Sequence, residues 1–349
     1  MASAVIQEKA LEIARIEAEL ARRRYLRNPT RWVQDKLGES LWSAQRRILE
    51  SVRDHRRTAV QSCHEIGKSF IASRVIGWWL DTHVPSEAFA ATSAPSANQV
   101  KAILWKELGR VHAAGRLPGY VNQAEWRMVM PAGNDEPIAF GRKPDDYNPT
   151  AFQGIHARFV LLVFDEACGM PDSLWEAGDT LIANDNSKAL AIGNPDDPTT
   201  NFAEICKRGS GWNVITIGAF ETPNFTGEPM PQHVLDQLIG RTYVEEKRRK
   251  WAPTWRWTPD GSRVVPPLGV DTLKAVQETN PLWQSKVLGV FPPNADEGGL
   301  IPLSWVRMAQ ERNLVADGPS ELGVDVGGGG DSSTGAHRRG PVVRVVWED

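Results

Sequence analysis

The chain has 349 residues, enough for about two domains, with the 41% hydrophobic and 24% charged content of an ordinary globular protein. A net charge of −3 excludes a globally basic nucleic-acid binder, so any grip on a phosphate backbone must come from local patches. Three scattered cysteines (Cys63, Cys168, Cys206) with no C-x-x-C pair exclude a zinc ribbon or disulfide framework, and the scattered histidines offer no His/Cys metal site.

No stretch approaches the roughly 18 uncharged apolar residues of a membrane span. The N-terminus is Met-Ala-Ser followed by a Glu- and Arg-rich segment, without an apolar signal-peptide core. The expectation is a cytoplasmic protein with no membrane partner. The 14 tryptophans are expected mainly in packing, because each buries a large area.

Residues 4–24 predict a helix, with Ile6, Ala10, Ile13, Glu17 and Leu20 on one row. A basic run over residues 22–31 contains Asn28-Pro29, which predicts a break. From Leu41 to about Phe220, short apolar runs alternate with longer helical stretches. "RTAVQS", "EAFAATSAP", "FVLLVFDEA", "SKALAIGNP" and "WNVITIGAF" read as strands, with "KSFIASRVIGWWLDT" and "SANQVKAILWKELGRVHAAG" as helices. Alternation of this kind predicts an α/β fold, a mostly parallel sheet covered by helices.

After Thr222 the chain is rich in Pro, Trp and charge, with "RTYVEEKRRKW" predicted as a short helix with a capping box from Thr242 to Glu245. "ELGVDVGGGGDSS" then opens a strand, and "PVVRVVWED" reads as its hairpin partner. The expected organisation is an N-terminal helical segment (1–40), an α/β core (41–222), a small helical lid (223–318) and the start of another domain (319–349).

The stretch "SCHEIGKS", residues 62–69, departs from the phosphate-loop pattern G-x-x-x-x-G-K-[ST] only at its first position. Its candidate nucleotide-binding residues are Ser62, Cys63, His64, Glu65, Ile66, Gly67, Lys68 and Ser69. In such a loop backbone N–H groups and the following helix N-terminus cradle phosphates, the lysine reaches the β- and γ-phosphates, and the hydroxyl binds magnesium. A lone Gly-Lys-Ser also occurs on ordinary turns, but here a strand precedes it and an apolar-periodic helix follows. Asp165 and Glu166 end the most apolar strand, where open α/β sheets carry ligand chemistry. Asp165 suits the Walker-B role of holding Mg²⁺, and Glu166 that of activating the attacking water. Gln45 is a candidate adenine reader with Trp42 nearby, although packing is the commoner role of a tryptophan. Asn194 is either a γ-phosphate contact or simply the turn residue before Pro195.

The combination "LWSAQRRIL", "SCHEIGKS", "ATSAPSANQVKAILWKEL", "AFQGIHARFVLLVFDEACGMPDSLWEA", "ALAIGNP" and "VEEKRRKW…PLWQSKVLGVFPPNADEGGLIP" resembles the large terminase subunit of tailed phages. The resemblance implies a RecA-like, additional-strand P-loop ATPase core, a lid and an RNase H-like nuclease whose carboxylates hold Mg²⁺ or Mn²⁺. It implies ATP and Mg²⁺ as ligands, and double-stranded DNA, the portal protein of the procapsid and the small terminase subunit as partners. A pentameric ring on the portal, in the host cytoplasm during virion assembly, completes that expectation. Asp325 matches the first nuclease carboxylate, with Asp331 weaker. The sequence ends at Asp349, before the family's later carboxylates, so no nuclease activity is expected from this polypeptide. Where many relatives carry an Arg-Gly arginine finger this chain has Gln153-Gly154, which leaves Arg158 and Arg142 as the nearest substitutes. Two rival readings stay open: a superfamily-2 helicase or translocase, and a non-hydrolysing prophage assembly protein.

Overall fold

The structure is a computed structural model that describes residues 2–84, 87–130, 133–142, 155, 157–251, 256–257, 263–264, 280–292, 317–325, 334–340 and 342–348. The chain forms two compact units, residues 1–296 and 297–349.

The first unit is built on eight strands: β1 (Arg57–Ser62), β2 (Ala88–Ser93), β3 (Tyr120–Asn122), β4 (Glu125–Val129), β5 (Asp135–Gly141), β6 (Phe159–Asp165), β7 (Lys188–Gly193) and β8 (Asn213–Ile217). Their order in the sheet is β3-β4-β5-β2-β6-β7-β1-β8. The five strands expected from sequence are β1, β2, β6, β7 and β8, and every pairing among them is parallel. Strand β7 lies between β1 and β6, which is the additional-strand order of a RecA-like core. Parallel strands between helical layers are buried on both faces, which is why β6 reads as an unbroken apolar run.

Strands β3 to β5 were not expected. β5 joins β2 in parallel, and β4 and β3 add antiparallel strands beyond it. Their sequences, "YVN", "EWRMV" and "DEPIAFG", carry charges and a proline. Such residues suit a half-exposed sheet margin and hide the strand signal.

Helix α1 (Ala2–Arg27) contains the expected helix and ends at the expected break. Asn28 there caps α2 (Pro29–Trp32), its side chain accepting from Arg31 N, with Pro29 at the first helical position. Helix α3 (Ser43–Asp54) leads into β1, and α4 (Lys68–Thr82) follows the loop after it. Beyond β2 come the short α5 (Ala97–Gln99) and then α6 (Lys106–Gly115). α4 is apolar nearly all round because it packs on β2 and β6 and also against α1, α3 and α6. Its one buried charge, Arg74, is clamped by Glu39 at 2.6 Å and Glu107 at 3.0 Å. Buried guanidinium is costly unless paired in this way. Helices α7 (Asp172–Leu181) and α8 (Asn201–Ile205) bring Leu174 and Phe202 into a second apolar cluster with Leu162 and Phe164 of β6. Trp32, Trp42, Trp78, Trp105, Trp126 and Trp283 are all fully buried, so packing is the role of these six.

Beyond β8 come α9 (Pro223–Thr226), α10 (Gln232–Leu235) and α11 (Arg241–Trp251). The capping box expected in α11 is replaced by other bonds. Thr242 lies inside the helix, which already begins at Arg241, so it is not the N-cap, and Glu245 instead pairs forward with Arg248 at 2.7 Å and Arg249 at 3.3 Å. A two-stranded antiparallel ribbon follows, β9 (Arg256–Trp257) with β10 (Arg263–Val264).

In the second unit, β11 (Ser320–Asp325), β12 (Thr334–Arg339) and β13 (Val342–Glu348) form an antiparallel sheet in that order. The expected hairpin between the outer two is therefore corrected: β12, "TGAHRR", lies between them. Gly, Ala and paired Arg residues give no alternating apolar signal, so this strand was not legible.

Candidate functional site

All five core parallel strands and β5 end on one edge of the sheet, and the candidate residues of β1, β6 and β7 meet there. Ser62 closes β1 opposite Ile217 of β8, fully buried and in extended backbone. The first position of this loop therefore needs no glycine, and the Ser62 hydroxyl donates to Cys63 O at 3.2 Å. The left-handed backbone falls later, at Glu65 (φ 51°) and Gly67 (φ 78°). The positive φ of Gly67 is what favours glycine there; an added Cβ would also stand 2.9 Å from Gln45 Nε2, the end of a side chain that must then shift.

Strand β8 and residues from the chain beyond it hold the loop. Cys63 N donates to Ile217 O at 2.9 Å, His64 N to Lys286 O at 3.2 Å, and Ile239 N to Glu65 O at 3.0 Å. The first intrahelical bond of α4 runs from Ile71 N to Gly67 O at 3.0 Å. The N–H groups of Lys68, Ser69 and Phe70 precede it, at the N-terminal end of a 15-residue helix, where backbone donors have no intrahelical acceptor.

Two side-chain links close the site. Lys68 Nζ donates to Asn194 Oδ1 at 2.9 Å, and Asn194 Nδ2 donates to Ser62 O at 2.7 Å. Ser69 Oγ donates to Asp165 Oδ2 at 2.7 Å, while Asp165 Oδ1 accepts from Glu166 N at 3.1 Å. Burial raises the Asp165 pKa to about 6, with the Glu166 charge adding to it and the Ser69 hydrogen bond and Lys68 opposing. Glu166 itself sits half-buried in left-handed backbone at φ 50°. Gly193 supports that turn from below: a Cβ there would lie 2.9 Å from Ala167 N.

Gln45 is buried against the loop, with Nε2 reaching Ile66 O at 3.4 Å and Oε1 left without a partner. Burial lifts the Cys63 thiol to about 12, so it is no nucleophile. Burial, then Lys286 and Lys68, press the His64 pKa down to about 4.

The other candidates lie apart. Arg158 precedes β6, so it stands at the opposite edge of the sheet, the length of that strand from Asp165, or roughly 20 Å. It pairs there with Glu87 at 3.4 Å, and within this chain it is not brought to the site. Arg142 follows β5 at the same edge as Lys68, exposed and 3.8 Å from Glu125. Gln153, Gly154 and Asp331 lie outside the described residues. Asp325 ends β11, exposed, in the second unit. Among the described residues no three His, Cys, Asp or Glu side chains are grouped to hold a metal ion. Two cavities of about 370 Å³ have no residue of the loop in their lining, one lined by Arg47, Asp54 and Asn213, the other by Gln61, Cys206 and Phe291.

Sequence reasoning missed Lys286, whose ammonium lies 2.5 Å from Asp196, two residues beyond Asn194. Nothing in "WQSKVLG" marks it locally. The donor set fits a polyphosphate with a divalent cation: a lysine, a helix N-terminus, a hydroxyl beside a buried carboxylate and an unpartnered amide oxygen.

The fold and this edge define a RecA-like α/β core with a phosphate-type loop. Solved structures similar to the chain include the large terminase ATPase domain of Thermus phage P74-26, at 16% identity and TM-score 0.49, covering 75% of this chain and 98% of that one. The large terminase of a thermophilic bacteriophage, in complex with ADP, aligns at 14% identity and TM-score 0.46, over 89% of this chain and 68% of that one. The large terminase of bacteriophage HK97 aligns at 10% identity and TM-score 0.48, over 92% of this chain and 66% of that one. No known protein-family model matches the sequence, and no functionally curated protein is significantly similar to it.

Proposed function

We propose that this chain is the ATP-hydrolysing motor subunit of a viral DNA-packaging terminase. The observation that carries the reading is the double link Lys68–Asn194 and Ser69–Asp165, made where β1, β6 and β7 end side by side. ATP is the substrate. Lys68 and the N–H groups that open α4 bind its phosphates, and Gln45 reads the adenine edge. Ser69 and Asp165 would hold Mg²⁺, which when bound offsets the charge of the transferring phosphoryl group. Glu166, presented by its left-handed turn, orients the attacking water. Asn194 touches both the lysine and Ser62, so a change at the terminal phosphate passes to the end of β7.

The further steps follow from the resemblance to large terminase subunits. The chain assembles as a pentameric ring on the portal protein of a procapsid, in the host cytoplasm, with the small terminase subunit delivering double-stranded DNA. DNA is gripped mainly through phosphates, so binding falls with salt and is indifferent to sequence. Residues 22–31 and 247–250 are the candidate basic segments. Asp325 is assigned to a nuclease metal site by its position in the motif alone. No membrane partner enters this reading, and no helix among the described residues is long and apolar enough to cross a membrane.

Phosphate release measured with and without double-stranded DNA tests the proposal. Turnover stimulated by DNA, without strand separation, supports it. Robust unwinding supports a helicase instead, and no turnover at any concentration a non-hydrolysing assembly protein.

A further inference from the structure

Two lysines converge on the exit of β7. Asn194 holds Lys68, and Asp196 holds Lys286, while Asp196 N donates back to Asn194 O at 3.0 Å, so one tight turn carries both acceptors. Lys286 comes from a stretch far along the chain, yet its backbone is fixed on the phosphate-type loop. Its carbonyl accepts from His64 N at 3.2 Å. Three residues on, Gly289 at φ 70° lies so close that a Cβ would meet Cys63 N at 2.8 Å and press on Ile217 O. Trp283 and Val287, both fully buried, anchor the stretch around Lys286, and Asn280 caps it by accepting from Leu282 N at 2.9 Å.

We propose that Lys286 is a second phosphate-binding cation of this site, held by Asp196 in the nucleotide-free chain and passed to the terminal phosphates of a bound nucleoside triphosphate. The proposal rests on the nucleotide reading of the loop. Three observations support it. The root of the side chain is tied to loop residue His64, so the flexible stem swings from a point fixed on the loop that would cradle the phosphates. The holding pair is partly open to solvent, with side-chain exposures of 21% for Lys286 and 43% for Asp196, and pairs this exposed contribute little to stability. A triphosphate with several negative charges therefore competes readily with one carboxylate. Both lysines also act on the same half-buried ring, since the charges of Lys286 and Lys68 each oppose protonation of His64. The alternative is a plain structural clip that pins residues 280–292 to the β7 exit.

The experiment is a fluorescence titration with ATP and with ADP, on the full chain and on Lys286→Ala, Lys286→Arg and Asp196→Asn, each first shown to melt cooperatively. The proposal predicts that Lys286→Ala weakens ATP about tenfold, as expected for one lost charged hydrogen bond, and ADP much less. Lys286→Arg recovers most of the loss. Asp196→Asn frees the lysine and binds ATP as tightly as the unmutated chain or more so. A structural clip predicts instead that Lys286→Ala and Asp196→Asn weaken ATP and ADP alike, and that result overturns the proposal. ATP binding unchanged in Lys286→Ala overturns it too, while leaving the nucleotide site standing. Failure of the unmutated chain to bind ATP sinks the reading of the loop, and this proposal with it.

Discussion

Asn194 Oδ1 accepts from Lys68 Nζ at 2.9 Å across 126 residues of chain, while the other end of the same amide donates to Ser62 O at 2.7 Å. One buried side chain thus joins the exit of β7 to the first residue of the loop and to its lysine. Asn194→Ala leaves a buried carbonyl without its donor, which costs about 1–3 kcal/mol. It also frees Lys68 from its anchor. The expected result is a lower melting temperature together with a fall in ATP turnover of about tenfold or more. Calorimetry and phosphate release measure the two effects separately.

The loop itself makes a contrast between two small residues. Ser62 lies in extended backbone at the end of a strand, so Ser62→Gly should cost only about 0.5–1 kcal/mol and leave turnover intact. Gly67 is left-handed at φ 78°, and an added Cβ would stand 2.9 Å from Gln45 Nε2. Gly67→Ala should therefore cost about 1–2 kcal/mol from the backbone alone. Adding Gln45→Ala relieves the contact but not the backbone strain, so the double variant should stay well below the unmutated chain in a denaturant titration.

These contrasts show how far the sequence could be read. The parallel strands were legible because strands buried on both faces must be unbroken apolar runs ending in turn residues, as "FVLLVFD" does. The convergence of Lys68, Ser69, Asp165 and Asn194 was legible because they stand at the ends of parallel strands or at the start of the helix that follows one. Parallel topology then closes separations of 96 and 126 residues into hydrogen bonds. Strands β3 to β5 and β12 were not legible, because half-exposed strands tolerate charge, glycine and proline. Ser62 departs from the loop pattern at a position of extended backbone, which needs no glycine. Lys286 and Asp196 were missed for another reason. Their place depends on residues 280–292 folding back on β1, which no local pattern announces.

Gly193 tests the turn that presents Glu166. A Cβ there would meet Ala167 N at 2.9 Å, Cys168 N at 3.3 Å and Glu166 C at 3.4 Å, all backbone atoms that cannot swing aside. Gly193→Ala must shift the turn and with it the carboxylate. A misplacement near 1 Å costs up to about a hundredfold in rate. The expected signature is a loss of kcat with KM little changed. A raised KM at unchanged kcat would contradict the placement of Glu166.

His64 makes stability fall with acid. Its folded pKa is about 4 against an ordinary 6.5, held down by burial first, then by Lys286 and Lys68, with Asp196 opposing. Protonation therefore favours the unfolded chain. The contribution of the neutral ring is complete above pH 6.5 and is lost as pH falls from 6.5 towards about 4. Melting temperatures over this window should drop more steeply for the unmutated chain than for His64→Gln. Parallel curves would show that the ring is not held neutral by its surroundings.

The central claim is that the edge where β1, β6 and β7 end binds and hydrolyses ATP. Its most direct test is ATP-dependent phosphate release by the unmutated chain beside Lys68→Ala, with magnesium and double-stranded DNA present. The account predicts turnover that Lys68→Ala abolishes while the fold, followed by its melting curve, survives. Turnover left intact by Lys68→Ala would contradict it.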